Sequence, residues 1–205
     1  MMQFNNEMLQ AFEAATAPVN QSGILPPILY TSEEFHAFEK ESIFDREWIC
    51  VGRGDQIPAT GDWFQITLMG DPLLVVRDKV GEVRVLSAVC QHRGMLLVEG
   101  KGQGSRFLCP YHHWCYGLDG KLIGAPEMEK TEGFERSEHG LPSLPVEIWN
   151  GFIFTNFAKD PAPLAPTLKS LTPLLENFDL DNCYHFVDET FEDLPWNWKV
   201  MFENN

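Results

Sequence analysis

The sequence predicts a mainly β fold, an antiparallel sandwich or barrel behind a helical N-terminal arm, and three observations lead there. Between residues 62 and 85, apolar residues fall into three short runs separated by turn residues, the outer two alternating with polar ones. Asn150-Gly151 stands between two further runs, the strongest short hairpin signal that a sequence carries. There is no strand-helix-strand alternation and no internal repeat, which speaks against a parallel doubly wound sheet and against a solenoid.

Taken in order, the first 30 residues are polar and then proline-rich at Leu25-Pro26-Pro27, as expected of an arm. "TSEE" then signals a helix start, with Thr31 as cap and Glu34 reaching back, and the helix is expected over residues 32–48. Its apolar residues Phe35, Phe38, Ile43, Phe44 and Trp48 form no single stripe, so a bend or burial on more than one side is expected. Phe64, Ile66 and Leu68 alternate with Gln65 and Thr67; Gly70-Asp71-Pro72 is read as a turn, Leu73 to Val76 as a short apolar strand, Asp78 to Gly81 as a second turn. Val83 and Val85 start a third strand, which completes an antiparallel meander. Val146 and Ile148, the Asn150-Gly151 turn and Phe152 to Phe157 close the β region. After the proline-rich "AKDPAPLAPTLKS", the leucines at 168, 171, 174 and 175 with Phe178 suggest a short helix interrupted near Pro173.

Composition narrows the function classes. The 205 residues, 44% hydrophobic with many aromatics, suffice for one generous domain or one domain and part of another. No apolar run approaches the roughly 20 residues of a membrane span, and "MMQFNNEMLQ" lacks the basic start and apolar block of a secretory signal. A cytoplasmic protein is therefore expected. Five cysteines, odd and sparse, point to ligands or buried thiols rather than to a disulfide framework. A formal charge of −15 repels phosphate backbones and anionic membrane surfaces, so neither nucleic acid nor membrane is an expected partner. From Arg84 to Lys121 the balance reverses, with Arg84, Arg93, Lys101, Arg106 and Lys121 against Glu99 and Asp119. That excess is read as surface scatter ahead of a basic collar for an acidic electron carrier.

The chemistry-bearing stretch is "CQHRGMLLVEGKGQGSRFLCPYHHW". Cys90-Gln91-His92 follows the third strand, and Cys109-Pro110-Tyr111-His112 comes after sixteen intervening residues. Each loop supplies one thiol and one imidazole. Structural zinc sites pair Cys with Cys and His with His, whereas mixed pairs suit a diiron cluster in which one iron takes two cysteines and the other two histidines. Two ferric ions and two sulfides carry +2; two thiolates make the oxidised site neutral, where four would leave it at −2, so histidine ligation makes reduction easier.

That spacing resembles the Rieske signature. The phrases "SAVCQHRGMLL" and "CPYHHWCYGLDGKLIGAPEM" are similar to those of the α subunits of Rieske non-haem iron oxygenases, the aromatic-ring-hydroxylating type. The likeness runs from "YTSEEFHAFEKESIFDREWICVGR" to "LPWNWKVMFEN", nearly the whole chain. It implies a Rieske-type β sandwich or barrel holding a [2Fe–2S] cluster, with Cys90 and Cys109 on one iron and His92 and His112 on the other, exposed one. His113 stands where the family usually has Gly, and Cys115 where it has Thr or Ser. Neither fits the ligand spacing; His113 is read as a surface or supporting residue and Cys115 as a small buried one. Tyr111 and Trp114 are expected to pack over the cluster, Trp114 on the face through which electrons arrive.

The resemblance also implies an organisation: an arm and helix over residues 1–44, the Rieske domain over 45–158, and a linker with the start of an α+β catalytic domain over 159–205. In the family a mononuclear Fe(II), held by two histidines and a carboxylate, follows "NWKVMFEN"-like phrases. His36, His139 and His185 show no such grouping, so the chain is expected to be a truncated part of an α subunit. The implied function is electron relay from a ferredoxin or flavin reductase to that iron. There O2-dependent hydroxylation or demethylation of a small organic substrate would take place, an aromatic compound first and a quaternary ammonium compound second. The full-length protein would be a homotrimer or an α/β hetero-oligomer. The alternative is a stand-alone Rieske ferredoxin, which needs neither the arm nor the residues past 157.

Overall fold

The computed structural model describes residues 6–18, 20–128, 130–186 and 194–203. The chain divides into two compact units, one formed by residues 46–187 and the other by residues 1–45 together with 188–205.

In the smaller unit, the polar arm contains a helix that the sequence reading did not anticipate, α1 (Asn6–Ala15), a run of good helix formers around Met8, Leu9 and Phe12. A single turn, α2 (Ile28–Thr31), precedes α3 (Glu33–Glu39). The cap of α3 is Ser32, whose hydroxyl accepts from Phe35 N at 3.2 Å, one residue later than the expected Thr31. Thr31 is spent at the end of α2, its hydroxyl donating to Pro27 O at 3.4 Å. The expected bend is a π-turn at Lys40–Phe44, with Asp45 N donating to Lys40 O at 2.8 Å, five residues back. The segment ending in the helix Lys199–Glu203 packs on these elements: Tyr30 donates to the Glu203 carboxylate at 2.5 Å, and Asn197 Nδ2 to Tyr30 O at 3.2 Å.

The larger unit holds eleven strands in three antiparallel sheets, with no closed barrel among the described residues. They are β1 (Ile49–Arg53), β2 (Asp62–Leu68), β3 (Asp71–Arg77), β4 (Val83–Ser87), β5 (Lys101–Gln103), β6 (Phe107–Leu108), β7 (Cys115–Tyr116), β8 (Leu122–Gly124), β9 (Ser143–Leu144), β10 (Val146–Trp149) and β11 (Phe152–Thr155). The sheet orders are β1-β11-β10, β5-β2-β3-β4-β9 and β6-β7-β8. The meander is therefore present, with one shift. Leu68 pairs with Asp71, so the turn is Met69-Gly70, both residues at positive φ (51° and 90°), and Asp71-Pro72 already belongs to β3. A two-residue turn of that hand matches strand twist, and Pro72 is tolerated so near the strand start. Asn150 and Gly151 (φ 47° and 80°) make the same type of turn between Trp149 and Phe152.

β3 is buried on both faces, which is why it reads as an unbroken apolar run. Leu73 and Val75 pack with Phe64, Val85 and Ile153 in one core; Leu74 and Val76 pack with Leu86, Phe107, Tyr116 and Leu122 in another. The central sheet thus separates the β1-β11-β10 layer from the β6-β7-β8 layer, and Cys90 and Cys109 lie in the second core. Beyond β11, α4 (Leu164–Leu168) and α5 (Thr172–Leu175), the latter with Pro173 in its first turn, continue the unit. Arg53 fastens the segment after α5, donating to Leu180 O (2.9 Å) and Cys183 O (2.7 Å).

The β3–β4 turn is organised by Asp78, whose carboxylate accepts from Val80 N, Glu82 N and Arg84 Nε, each at 2.9 Å. Burial would push this carboxyl up, but the Arg84 guanidinium and the two amides outweigh it and hold it below the usual carboxylate range. A depressed native value means stability that is present above the unfolded pKa of about 3.9 and is lost as pH falls through the native one. Asp78→Asn should cost roughly 1–2 kcal/mol at pH 7 and progressively less below about pH 4, as urea unfolding at the two pH values would show.

Candidate metal centre

The two chemistry-bearing loops follow one local plan. In the first, Cys90 N donates to Met95 O (2.8 Å) and Gly94 N to Cys90 O (3.0 Å). In the second, Cys109 N donates to Trp114 O (2.8 Å) and His113 N to Cys109 O (3.0 Å). Each cysteine therefore closes a five-residue loop, and the fourth residue after it takes the left-handed conformation, Gly94 at φ 71° and His113 at φ 58°. The bridge Val89↔Leu96 pins the base of the first loop, and the β6-β7 pair Leu108↔Cys115 pins the second.

His113 is exposed and occupies a glycine position of this plan. His113→Gly should stabilise the chain by about 1 kcal/mol in thermal unfolding, the relief of the left-handed backbone being partly offset by a more disordered unfolded chain. Cys115 is buried in β7.

The loops bring the expected residues together in two like pairs, histidine with histidine and cysteine with cysteine. The rings of His92 and His112 lie 4.7 Å apart at 68°. Their Nδ1 atoms are buried without a hydrogen-bond partner. The thiols of Cys90 and Cys109, 2% and 1% exposed, come within hydrogen-bonding reach of each other, and none of the five cysteines is in a disulfide. Two buried nitrogens without partners are unusual, since buried polar atoms are ordinarily satisfied, and they lie in the same two loops as the two buried thiols. Among the described residues no group of three or more His, Cys, Asp or Glu side chains is arranged around a single-ion position. Four-coordinate structural zinc requires such a group, whereas a sulfide-bridged iron pair needs only two protein donors per metal.

The surroundings tune these donors. Burial pushes the Cys90 thiol up, partly offset by the Tyr116 hydroxyl 3.3 Å away, so a metal must draw its proton off. Tyr116 O accepts from Gln91 N at 3.0 Å, which leaves its own proton for the sulfur; burial and Cys90 hold the phenol well above its ordinary range, so it remains a donor. Burial, with His112 and Arg93 nearby, pushes His92 down and keeps its imidazole neutral, as a ligand must be. Two of the five basic residues counted in this stretch are paired, Arg84 with Asp78 and Glu82 and Lys121 with Asp119.

Of the neighbours singled out in the sequence, Tyr111 lies over His112 (3.7 Å between ring centroids) and is 56% exposed. Trp114 stacks on His92 (4.7 Å, 7°) but is 3% exposed, covered by Phe134 and His139, and so is not a surface residue. Tyr116, Phe134 and His139 were not singled out. Alternation with Trp114 two residues earlier could have marked Tyr116; Phe134 and His139 carry no local signal.

Comparison with known proteins agrees with this geometry. The Rieske [2Fe-2S] domain family matches residues 47–145. The glycine betaine monooxygenase oxygenase subunit of Pseudomonas aeruginosa PAO1 is 34% identical over 182 residues, 88% of this chain and 42% of that protein. The biphenyl 2,3-dioxygenase subunit alpha of Rhodococcus jostii RHA1 is 37% identical over 196 residues, 89% of this chain and 41% of that one. The apo crystal structure of the quaternary ammonium Rieske monooxygenase CntA superposes with a TM-score of 0.81 at 31% identity, covering 89% of this chain and 54% of that one. The chain thus spans less than half the length of the two curated relatives. No helix among the described residues is long and apolar enough to cross a membrane. Residues 47–145 thus match the Rieske [2Fe-2S] domain family, and the relatives similar to most of this chain are oxygenase subunits.

Proposed function

We propose that this chain is the electron-relay portion of an oxygenase component. Cys90 and Cys109 hold one iron and His92 and His112 the other, each histidine through Nδ1. Two buried Nδ1 atoms without partners, in the same two loops as two buried free thiols, carry this reading. When bound, the cluster supplies one-electron transfer at a mild potential, roughly −150 to +300 mV for histidine-ligated centres against about −400 mV for all-cysteine plant-type ones.

The chain's own groups support that role. Toward a metal-bound thiolate of Cys90, 3.3 Å away, the Tyr116 hydroxyl would be the donor, which favours the more negative, reduced state. The second core excludes water from the two sulfurs, while His112 and Tyr111 face the surface. Electrons would come from a ferredoxin or flavin reductase and pass to a mononuclear non-haem iron of the oxygenase component. A homotrimer or α/β hetero-oligomer fits that arrangement, and five free thiols support a cytoplasmic setting. O2-dependent hydroxylation or demethylation of a small organic substrate is the resulting reaction. Quaternary ammonium compounds stand ahead of aromatic ones, since CntA matches more of this chain, and more closely, than naphthalene 1,2-dioxygenase with its TM-score of 0.66.

Absorption and electron paramagnetic resonance (EPR) spectra of the purified chain, with iron and acid-labile sulfide counts, test the reading. A red-brown protein with iron and sulfide in equal amounts and an EPR signal only when reduced is expected. A colourless protein holding one divalent ion would overturn it.

A further inference from the structure

The two histidines are held in unlike ways. His112 is covered by an exposed tyrosine, Tyr111. His92 lies against the buried indole of Trp114, the planes 7° apart. Trp114 is in turn met edge-on by Phe134 (5.6 Å, 64°) and His139 (5.8 Å, 74°), which stack on each other at 4.8 Å and 14°. These two come from a segment twenty residues further along the chain, folded by the 3-10 turn Arg136–Glu138 and moored where Leu141 N donates to Gly120 O at 2.8 Å.

An imidazole has a broad, roughly two-fold torsion about its ring bond, so a free histidine ligand samples many ring planes. A parallel indole removes that freedom only while the indole itself cannot turn. We propose that Phe134 and His139 are positioning residues that act through Trp114 to fix the ring plane of His92, giving the two imidazole ligands different rigidity. The proposal rests on the ligand assignment above.

It is tested on the full chain carrying its cluster. His139→Ala and Phe134→Ala should keep wild-type iron and sulfide content, yet move or broaden the EPR spectrum of the reduced protein beyond the wild-type linewidth. His139→Phe, which keeps a ring to stack on Phe134, should restore it. Wild-type spectra from both alanine variants, whatever their melting temperatures, would mean that the segment only supports the fold, and would overturn the proposal. Should the alanine variants not fold, Trp114→Phe decides: a spectrum changed beyond the wild-type linewidth supports the proposal, and an unchanged one overturns it. Absence of an iron-sulfur signal in the wild-type chain would instead remove the ligand assignment, a separately readable outcome.

Discussion

Cys109→Ser is expected to strip the chain of its colour and of nearly all its iron and sulfide, while Cys50→Ser leaves both at the wild-type level. Cysteine binds iron as its thiolate, and a serine hydroxyl is far harder to ionise in a site from which water is excluded. Cys109 is 1% exposed, and its backbone is fixed by the hydrogen bonds of its loop to Trp114 O and from His113 N. Cys50 is exposed on β1, in a different sheet. His92→Ala should behave as Cys109→Ser does, because an alanine leaves one iron with a single protein donor. Iron and sulfide analysis with visible absorption reads the result. Full cluster content in Cys109→Ser, or loss of the cluster in Cys50→Ser, would show that the donor set is wrongly assigned.

The largest stability effect is expected in the smaller unit. Lys199 Nζ lies 2.7 Å from Glu39 Oε1, and the residues are 8% and 3% exposed. Trp198 Nε1 donates to the other carboxylate oxygen at 3.3 Å, and the ammonium sits 5.2 to 5.4 Å from the ring centroids of Tyr30, Phe35 and Trp198. Removing one partner of such a pair leaves an uncompensated buried charge, so Lys199→Met should cost about 3–5 kcal/mol. Replacing both, as in Glu39→Leu with Lys199→Met, takes away the desolvation penalty with the attraction and should fall within about 1 kcal/mol of wild type. Denaturant unfolding of the four corners of this cycle measures the coupling. If the double variant is no more stable than Lys199→Met, the pair is not the anchor described.

The sequence made legible those parts of the fold that repeat with a period or turn with a signature. The meander β2-β3-β4 and the Asn150-Gly151 hairpin follow from alternation and turn chemistry, whereas the four candidate donors were marked by their mixed Cys/His spacing together with the family resemblance. The short strands β5 to β8 are two or three residues long and have no period to read; they exist because the second core needs Phe107, Tyr116 and Leu122 on one side. The helix cap fell one residue from its expected place because two candidate hydroxyls, Thr31 and Ser32, stand side by side, and the preceding turn of helix claims the first. Trp114 packs on His92 as expected, but nothing local tells that Phe134 and His139 return to cover it.

The π-turn at Lys40–Phe44 works as a phase shifter. Five residues are spent where an α-helix would spend fewer, so every side chain after it is rotated relative to the α-helical pattern before it. Phe44 reaches the Trp198 ring edge-on at 5.2 Å only with that extra residue in place. Shortening the turn by one position would leave the backbone a better helix and swing Phe44 round by about 100°. In this stretch, then, the length of the chain is itself under constraint, independently of which residues fill it.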